Sequence, residues 1–551
     1  MDAFFRALKQ KGFKGDVEDS QAVREEYSHD ASLFELVPQA VVFPKDEQDL
    51  ETLVQTVDYS RGLLPDLSLT ARSAGTDMSG GAISQSVIVD IARYFTKIEA
   101  VSDQAAQVQP GVLYRNFEAE TLKHNRAMMP SFPASRELAT VGGMVANNAG
   151  GEKSLEFGKT ENFVTKLRVI LSDGKAYELG PLNKEELEAK KNQSDFEGQI
   201  YRQTFELLSR HYDQIKAAKP KVSKNSTGYN LWDVWDREAG VFDLTKLFVG
   251  SQGTLGLISD IEFRLIHDHP HSGVLVCFMK KLDNLGELIN RVVAAKTASF
   301  EAFDNYTLYL SFKFFPYFRK TLGWGGLLKL GWQLLPDLFL LMRGIPKMIL
   351  LIEFTGETPE EVKGKVHAMR EALKPYRLEA MEEDSTEAKA WKFRIMRRES
   401  FNLLRKKVKD KHTAPFIDDL VVPPPHLVEF LPKLRAIIKK YDLLATVAGH
   451  MGDGNFHVIP LMKIEQPSER AKLLPAMREV NELILSYGGS LSGEHNDGLI
   501  RGPWLGQMYG KEVVELFRQT KRIFDPANIF NPHKKTDASW DYSMSHIRQK
   551  F

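Results

Sequence analysis

Two stretches far apart in the chain hold side chains that bind metals and move protons. The run "ATVAGHMGDGNFHVIPLM", from Ala445 to Met462, puts His450 and His457 at the ends of a turn rich in glycine, aspartate and asparagine. The run "SLSGEHNDGLIRGPW", 490–504, adds Glu494 and His495. Asp453-Gly454 is a preferred dipeptide for the centre of a two-residue hairpin turn, and that placement pairs His450 directly with His457. Directly opposed residues share a sheet face with Cβ atoms about 4.5–5.5 Å apart. That spread suits two imidazoles converging on one ion at about 2.0–2.1 Å. A carboxylate as third ligand, with one position left open, describes a catalytic metal centre. Glu494 supplies that carboxylate and leaves His495 as a base, or the two exchange roles; the local sequence supports either. Zinc suits two imidazoles and a carboxylate, and manganese accepts the same donors. The bland alternative is a pair of unrelated polar turn residues.

Side chains of this kind need strands and loops to hold them. "LTARSAGTDMSGGAISQSVIVDI", 69–91, sets Gly75, Gly80 and Gly81 between two strand-like runs. Glycines and small residues let successive backbone N–H groups face one concavity, which binds anions such as pyrophosphate. Val87, Val89 and Ile91 alternate with period two and predict a strand after the loop, so this is not a strand–loop–helix dinucleotide motif. Three more glycine loops follow: "VQPGVLYRNFE", "SFPASRELATVGGMVANNAGGEKSLEFGKTENFV" and "LFVGSQGTLGLISDIEF". Together the four imply a backbone lining a long flat ligand. Asp173-Gly174, between "LRVIL" and "KAYEL", signals a hairpin, and "NKEELEAKKN" a helical insert. From His267 to Ile500 strand runs alternate with helical ones, and the run ending "FRQTKRIF" is a helix stopped by Pro526. The reading is α+β, in two lobes, without a sequence repeat.

Totals narrow the function. Lys+Arg and Asp+Glu are both 73 in 551 residues, which argues against a general nucleic-acid binder. The single cysteine, Cys277, excludes an intrachain disulfide and a cluster held by thiolates, and fits a reducing, cytoplasmic setting. Lys and Arg interrupt the N-terminal apolar residues, so there is no signal-peptide core of about 7–15 residues. The run 306–354 is rich in Phe, Leu and Trp, but Pro316, Pro336 and Pro346 break it and no part is a transmembrane helix. Two readings fit. One is short buried helices followed by a core strand, Met348 to Phe354. The other, slightly preferred, is a peripheral patch on the inner face of the membrane. There Lys313, Arg319, Lys320, Lys329 and Arg343 would meet headgroups, with Trp324 and Trp332 at the interface.

The order "RSAGTDMSGG", "QPG", "TVGGMVANNAGG", "GSQGTLGLI" resembles the FAD domain of the vanillyl-alcohol-oxidase (PCMH-type) flavoproteins. Read with "GHMGDGNFH" and "SGEHNDG", residues 35–534 resemble the branch holding D-lactate, glycolate and D-2-hydroxyglutarate dehydrogenases. The resemblance implies a helical lead-in at 1–34 and a PCMH-type two-lobed FAD-binding domain at 35–266. A substrate (cap) domain with a ferredoxin-like sheet would occupy 267–500, and a segment returning to the FAD domain 501–551. Arg72, Ser73, Ala74, Gly75, Thr76, Asp77, Ser79, Gly80 and Gly81 would wrap the FAD pyrophosphate. Pro110, Gly111, Thr140, Gly142, Gly143, Asn147, Asn148 and Gly150 would line the isoalloxazine and ribityl chain, and Gly253, Gly256 and Ile258 the adenine side. Covalently flavinylated relatives carry a histidine in the first loop; Thr76 and Asp77 stand there, so FAD is expected to be noncovalent.

The same resemblance assigns a divalent metal to His450, His457 and Glu494 and the proton acceptor to His495. Within "WKFRIMRRESFNLLR" it assigns Arg394 to the substrate carboxylate, which a guanidinium holds bidentately. Relatives that prefer a second carboxylate carry a lysine before "DLxxP"; Ile417 stands there, which leaves a smaller hydroxyacid open. The implied activity is oxidation of a D-2-hydroxyacid, with electrons leaving to a quinone or a separate electron-transfer protein. Two rivals share the fold: a transferase of the alkylglycerone-phosphate type, and a non-catalytic flavin subunit of a membrane complex.

Overall fold

The computed structural model describes residues 1–304, 325, 346–376, 378, 380–384 and 411–549. Two larger sheets, with a three-stranded and a two-stranded one beside them among the described residues, build the lobe that carries the glycine loops. In the first, Ala40–Phe43 and Leu69–Arg72 both run parallel to Val87–Asp90, and Asp16–Glu18 adds an antiparallel edge. Parallel neighbours cannot be joined by a tight turn and need a crossover of about a dozen residues or more. The glycine-bearing 73–86 connection is that crossover, which is why a strand and not a helix follows it. The second sheet is antiparallel, in the order Ile98–Val101, Ala105–Val108, Leu257–Arg264, Val164–Ile170, Ala176–Leu179. Its last pair is the expected hairpin, although residues 171–175 form the connection and only Gly174 takes a left-handed φ, +70°. The helical insert is Lys184–Lys191, started by a capping box between Asn183 and Glu186.

The other lobe is one antiparallel sheet of eight strands. Across it run Ala380–Asp384, His271–Met279, Met348–Gly356, Ser299–Asp304, Leu444–His450, Asn455–Met462 and His412–Thr413, with Leu420–Val421 also paired to Asn455–Met462. Strand residues alternate between faces. Leu275, Phe300, Ala302, Leu350, Ile352, Val447 and Val458 face back into the main core of this lobe. That core is completed by helices Leu285–Ala294, Pro359–Leu373, Leu427–Lys440 and Leu473–Ser486. Each turns a stripe at helical spacing inward; in the second it is Val362, Val366, Met369 and Leu373. The front face carries Val274, Ser299, Glu301, Leu351, Glu353, Thr446, Ala448, His450, His457 and Ile459, all on one cavity. Met348–Gly356 is thus a central core strand, as one reading of the 306–354 run had it; 305–345 lies outside the described residues apart from Gly325. No helix among the described residues is long and apolar enough to cross a membrane.

The last stretch of chain ties the lobes together. The helical segment Leu505–Phe524, kinked at Gly510, ends before Pro526 and packs Leu516, Phe517 and Phe524 into the core of the glycine-loop lobe. Ile529 and Phe530 enter a second core there, and Ile547 packs with the cap lobe. Two fully buried ion pairs fasten it: Lys521 to Asp525 at 2.6 Å and Lys535 to Asp497 at 2.7 Å.

Candidate functional site

One cavity of about 1020 Å³ runs between the glycine loops and the front face of the cap sheet. Of the residues expected to hold FAD, Arg72 to Asp77, Gly81, Pro110, Thr140, Gly142, Gly143, Asn147, Gly150, Gly253, Gly256 and Ile258 line it. Ser79, Gly80, Gly111 and Asn148 do not, and each is held by the protein itself. Ser79 bonds Asp77 and Gln252, and Gly80 lies against Phe34 and Leu499. Gly111 sits under the carbonyls of Ile91 and Phe95, and Asn148 ends a helix at φ +51° while bonding Glu161. The Arg72 guanidinium donates to the carbonyls of Tyr27, His29 and Ala82, so it pins the first loop to the N-terminal segment. Asp77 Oδ2 accepts from the N–H groups of Ser79 and Gly81, which leaves the backbone of 73–77 as the part of this loop turned to the cavity. A Cβ on Gly142 would collide with Pro110 and come within 2.7 Å of its carbonyl oxygen. This contact is a cradle that only glycine permits.

At the cap end, the metal-capable residues meet. The hairpin register differs from the expected one: His450 pairs with Asn455, and His457 with Ala448. Met451–Asp453 form a short 3-10 turn and Gly454 alone turns left-handed, φ +65°, where a Cβ would run into the Val422 carbonyl. The connection is therefore four residues long and the pairing is displaced by two. An even displacement keeps the face, so both imidazoles still converge, with ring centroids 5.5 Å apart.

Glu494 completes the group. His450 Nε2 is 3.3 Å from Glu494 Oε1, and His457 Nε2 is 3.9 Å from Glu494 Oε2. Donors placed tetrahedrally at about 2.0–2.1 Å from an ion stand about 3.4 Å apart, and the two imidazole contacts to Glu494 are of that order. His495 stacks on His457 at 5.0 Å. Among the described residues, Asp419, His457, Glu494 and His495 also form a group with donor atoms within 4.8 Å. Asp419, however, is engaged: it accepts from Ser492 Oγ, Asn455 Nδ2 and the backbone N–H groups of Glu494 and His495. It shapes the 492–495 loop; His450 lies outside this group but faces Glu494 Oε1 at 3.3 Å.

Each of the three imidazoles has a carboxylate beside its Nδ1, as a hydrogen bond for His450 and His457 and as an ion pair for His495. Glu301, directly opposite His450 across the sheet, lies 2.5 Å from His450 Nδ1. Asp418 Oδ1 is 3.3 Å from His457 Nδ1, and Asp418 Oδ2 is 2.8 Å from His495 Nδ1. Burial lowers His450, but Glu301 outweighs it and raises the group to about 9. Burial also lowers His495, and Asp419 and Asp418 raise it to about 9. A dication beside these rings would act in the opposite sense on both. Burial raises Asp418, yet His495 and His457 hold it well below the usual carboxylate range.

Behind Glu494 sits the buried Lys224, with Nζ 2.6 Å from Glu494 Oε1 and 3.1 Å from Asp453 Oδ2. Lys159, also buried, donates to Asn225 O, Ser226 Oγ and Gly493 O, and burial lowers it to about 8. Asp418, Asp419, Glu301, Lys224 and Lys159 escaped the sequence reading. The one visible signal was the acid pair in "PFIDDLVVP". Ile417, in the same run, is buried in the cap core and not on the cavity. Arg394 lies outside the described residues.

Residues 38–180 match the family model of the FAD binding domain, and 269–535 that of FAD linked oxidases, C-terminal domain. The D-2-hydroxyglutarate dehydrogenase of Pseudomonas putida is 29% identical over 96% of this chain and 51% of its own length. The chain thus spans about half the length of such relatives. Glycolate oxidase subunit GlcD of Bacillus subtilis is 25% identical over 94% of this chain and 93% of its own. D-lactate dehydrogenase of Archaeoglobus fulgidus is 25% identical over 90% of both. Among solved structures, p-cresol methylhydroxylase with substrate bound superposes with a TM-score of 0.68 at 14% identity, covering 98% of this chain and 97% of that one. An alkyldihydroxyacetonephosphate synthase gives 0.65 at 15%, covering 97% and 85%. These structural likenesses carry the fold, which is PCMH-type.

Proposed function

Because this chain belongs to the FAD-linked oxidases of PCMH type, in the branch of the D-2-hydroxyglutarate, glycolate and D-lactate dehydrogenases, we propose that its cavity oxidises a D-2-hydroxyacid to the 2-oxoacid. The observation that carries the reading is one cavity wall shared by the glycine loops and by His450, His457, Glu494 and His495. Bound there, FAD supplies the hydride acceptor at N5, and a divalent metal, zinc by its donor set, the Lewis acid that acidifies the substrate hydroxyl.

His450, His457 and Glu494 would hold the metal, each imidazole through its Nε2. His495 Nε2, fixed by Asp418 at the opposite nitrogen, accepts the hydroxyl proton. Arg394 is proposed to hold the C1 carboxylate so that the C2–H bond faces the flavin. The cap sheet closes over the substrate with Ser299, Thr446, Ala448 and Ile459 around it and keeps bulk water from the reacting carbon. A quinone or a separate electron-transfer protein would take the electrons, and the part of the 306–354 run before the core strand is proposed to touch a membrane surface. A transferase or a bare flavin relay shares the fold, but a histidine beside two imidazoles and a carboxylate suits metal-assisted oxidation of an alcohol better.

Anaerobic mixing with D-lactate, D-2-hydroxyglutarate, glycolate and their L-enantiomers tests the reading. Bleaching of the oxidised flavin by at least one D-acid, and not by its mirror image, is expected. Full flavin occupancy with no bleaching by any of them would refute it.

A further inference from the structure

We infer that Asp418 is a positioning residue shared between the metal ligand His457 and the base His495, so that one carboxylate sets both metal affinity and proton acceptance. This rests on the proposed function. Each oxygen of Asp418 serves one ring: Oδ1 lies 3.3 Å from His457 Nδ1 and Oδ2 lies 2.8 Å from His495 Nδ1. The contact to His457 is a hydrogen bond, whereas the one to His495 is an ion pair, since neither Asp418 Oδ2 nor His495 Nδ1 has a hydrogen-bond partner among the described residues. The two rings stack at 5.0 Å and 26°, side by side over the same carboxylate. Asp418 is fully shielded from solvent, so no water competes for it.

A carboxylate carries only lone pairs, so each ring presents Nδ1–H to it and, when neutral, leaves Nε2 as a lone pair. That tautomer is the one a metal ligand and a proton acceptor both need at Nε2. The backbone is held separately, since Arg501 Nη2 donates to the carbonyl of Asp418 and the side chain is not part of that anchor. The side chain can therefore be changed while the loop keeps its tether.

Asp418→Asn keeps size and shape but presents one oxygen and one NH2. Its NH2 forces the ring it meets to accept at Nδ1 and carry the proton at Nε2, where that ring can neither ligate nor act as a base. Because the amide can turn to face either ring, the variant should lose on both counts. Substituting an outer partner of a metal-bound histidine typically costs about 10–100-fold in affinity or activity. The FAD-loaded variant should bind zinc 10–100-fold more weakly, by titration against a competing chelator, and at saturating zinc reduce its flavin 10–100-fold more slowly. In a His495→Asn background the same change should still weaken zinc but slow flavin reduction no further, a split that a general packing defect would not produce. Loss of only one property, or of neither, overturns the inference.

If Asp418→Asn fails to fold, nitrogen-15 NMR of histidine-labelled wild type decides. His457 and His495 should both carry a proton at Nδ1, and finding either with Nδ1 bare and its proton on Nε2 overturns the sharing. A wild type that binds no metal and is bleached by no hydroxyacid fails the functional reading, whereas an active wild type with an unaffected Asp418→Asn fails this inference alone.

Discussion

Lys224→Met should destabilise the protein strongly, and metal should return part of the loss. The ammonium lies 2.6 Å from Glu494 Oε1 and 3.1 Å from Asp453 Oδ2, and all three side chains are at most 7% exposed. Methionine preserves most of the volume and removes the charge, so two carboxylates are left buried without their cation. Breaking a buried ion pair by deleting one partner costs about 3–5 kcal/mol, roughly two to three and a half powers of ten in the folding equilibrium. A divalent ion on His450, His457 and Glu494 would supply countercharge to one of the two carboxylates. Binding to the folded state alone stabilises it in proportion to the logarithm of ligand over dissociation constant. Urea unfolding, followed by flavin release and circular dichroism, should be run with chelator and again with excess zinc. The variant should lose about 3–5 kcal/mol with chelator and gain more from zinc than wild type does. A loss under about 1 kcal/mol with chelator, or an equal gain from zinc in both proteins, would refute the reasoning.

Gly142→Ala should lower FAD occupancy, since the new methyl meets Pro110; a flavin-to-protein absorbance ratio equal to wild type would show that the loop gives way. His450→Ala and His457→Ala should each deplete bound metal with FAD retained, as elemental analysis of the purified variants would report. His495→Asn should slow flavin reduction by about 10²–10⁴ with FAD and metal in place. Metal loss there, combined with full retention in Glu494→Gln, would exchange the two roles. The 306–354 run leads to a separate expectation, sedimentation with anionic liposomes at low salt and partial release at high salt; protein in the supernatant at every ionic strength counts against a membrane surface.

The flavin loops were legible because their signal is local: Gly75, Gly142 and Gly253 sit in short runs whose backbone freedom shows in the sequence. The convergence of His450 and His457 was legible for a similar reason, yet their pairing was not. Asp453-Gly454 reads as a two-residue turn, while contact with Val422, some thirty residues away in sequence, makes Gly454 the left-handed end of a longer one. The face survived because the slip was even. The parts missed are held by distant contacts. Lys224 looks like a loop lysine until Glu494, 270 positions on, is brought to it. Asp418 and Asp419 resemble any solvated acid pair, because burial is a property of the packed cap and not of the run "IDDL". Arg72 looked like a phosphate ligand, and the N-terminal carbonyls it binds were not visible as partners.

The central claim is that metal and flavin act in one cavity on one substrate. The most direct measurement takes the D-hydroxyacid that bleaches the wild-type flavin fastest and follows single-turnover bleaching after metal is stripped with a chelator and removed by gel filtration. Bleaching should fall steeply with FAD still fully bound, and recover when stoichiometric zinc or manganese is returned. Unchanged bleaching in protein shown by elemental analysis to be metal-free would contradict it.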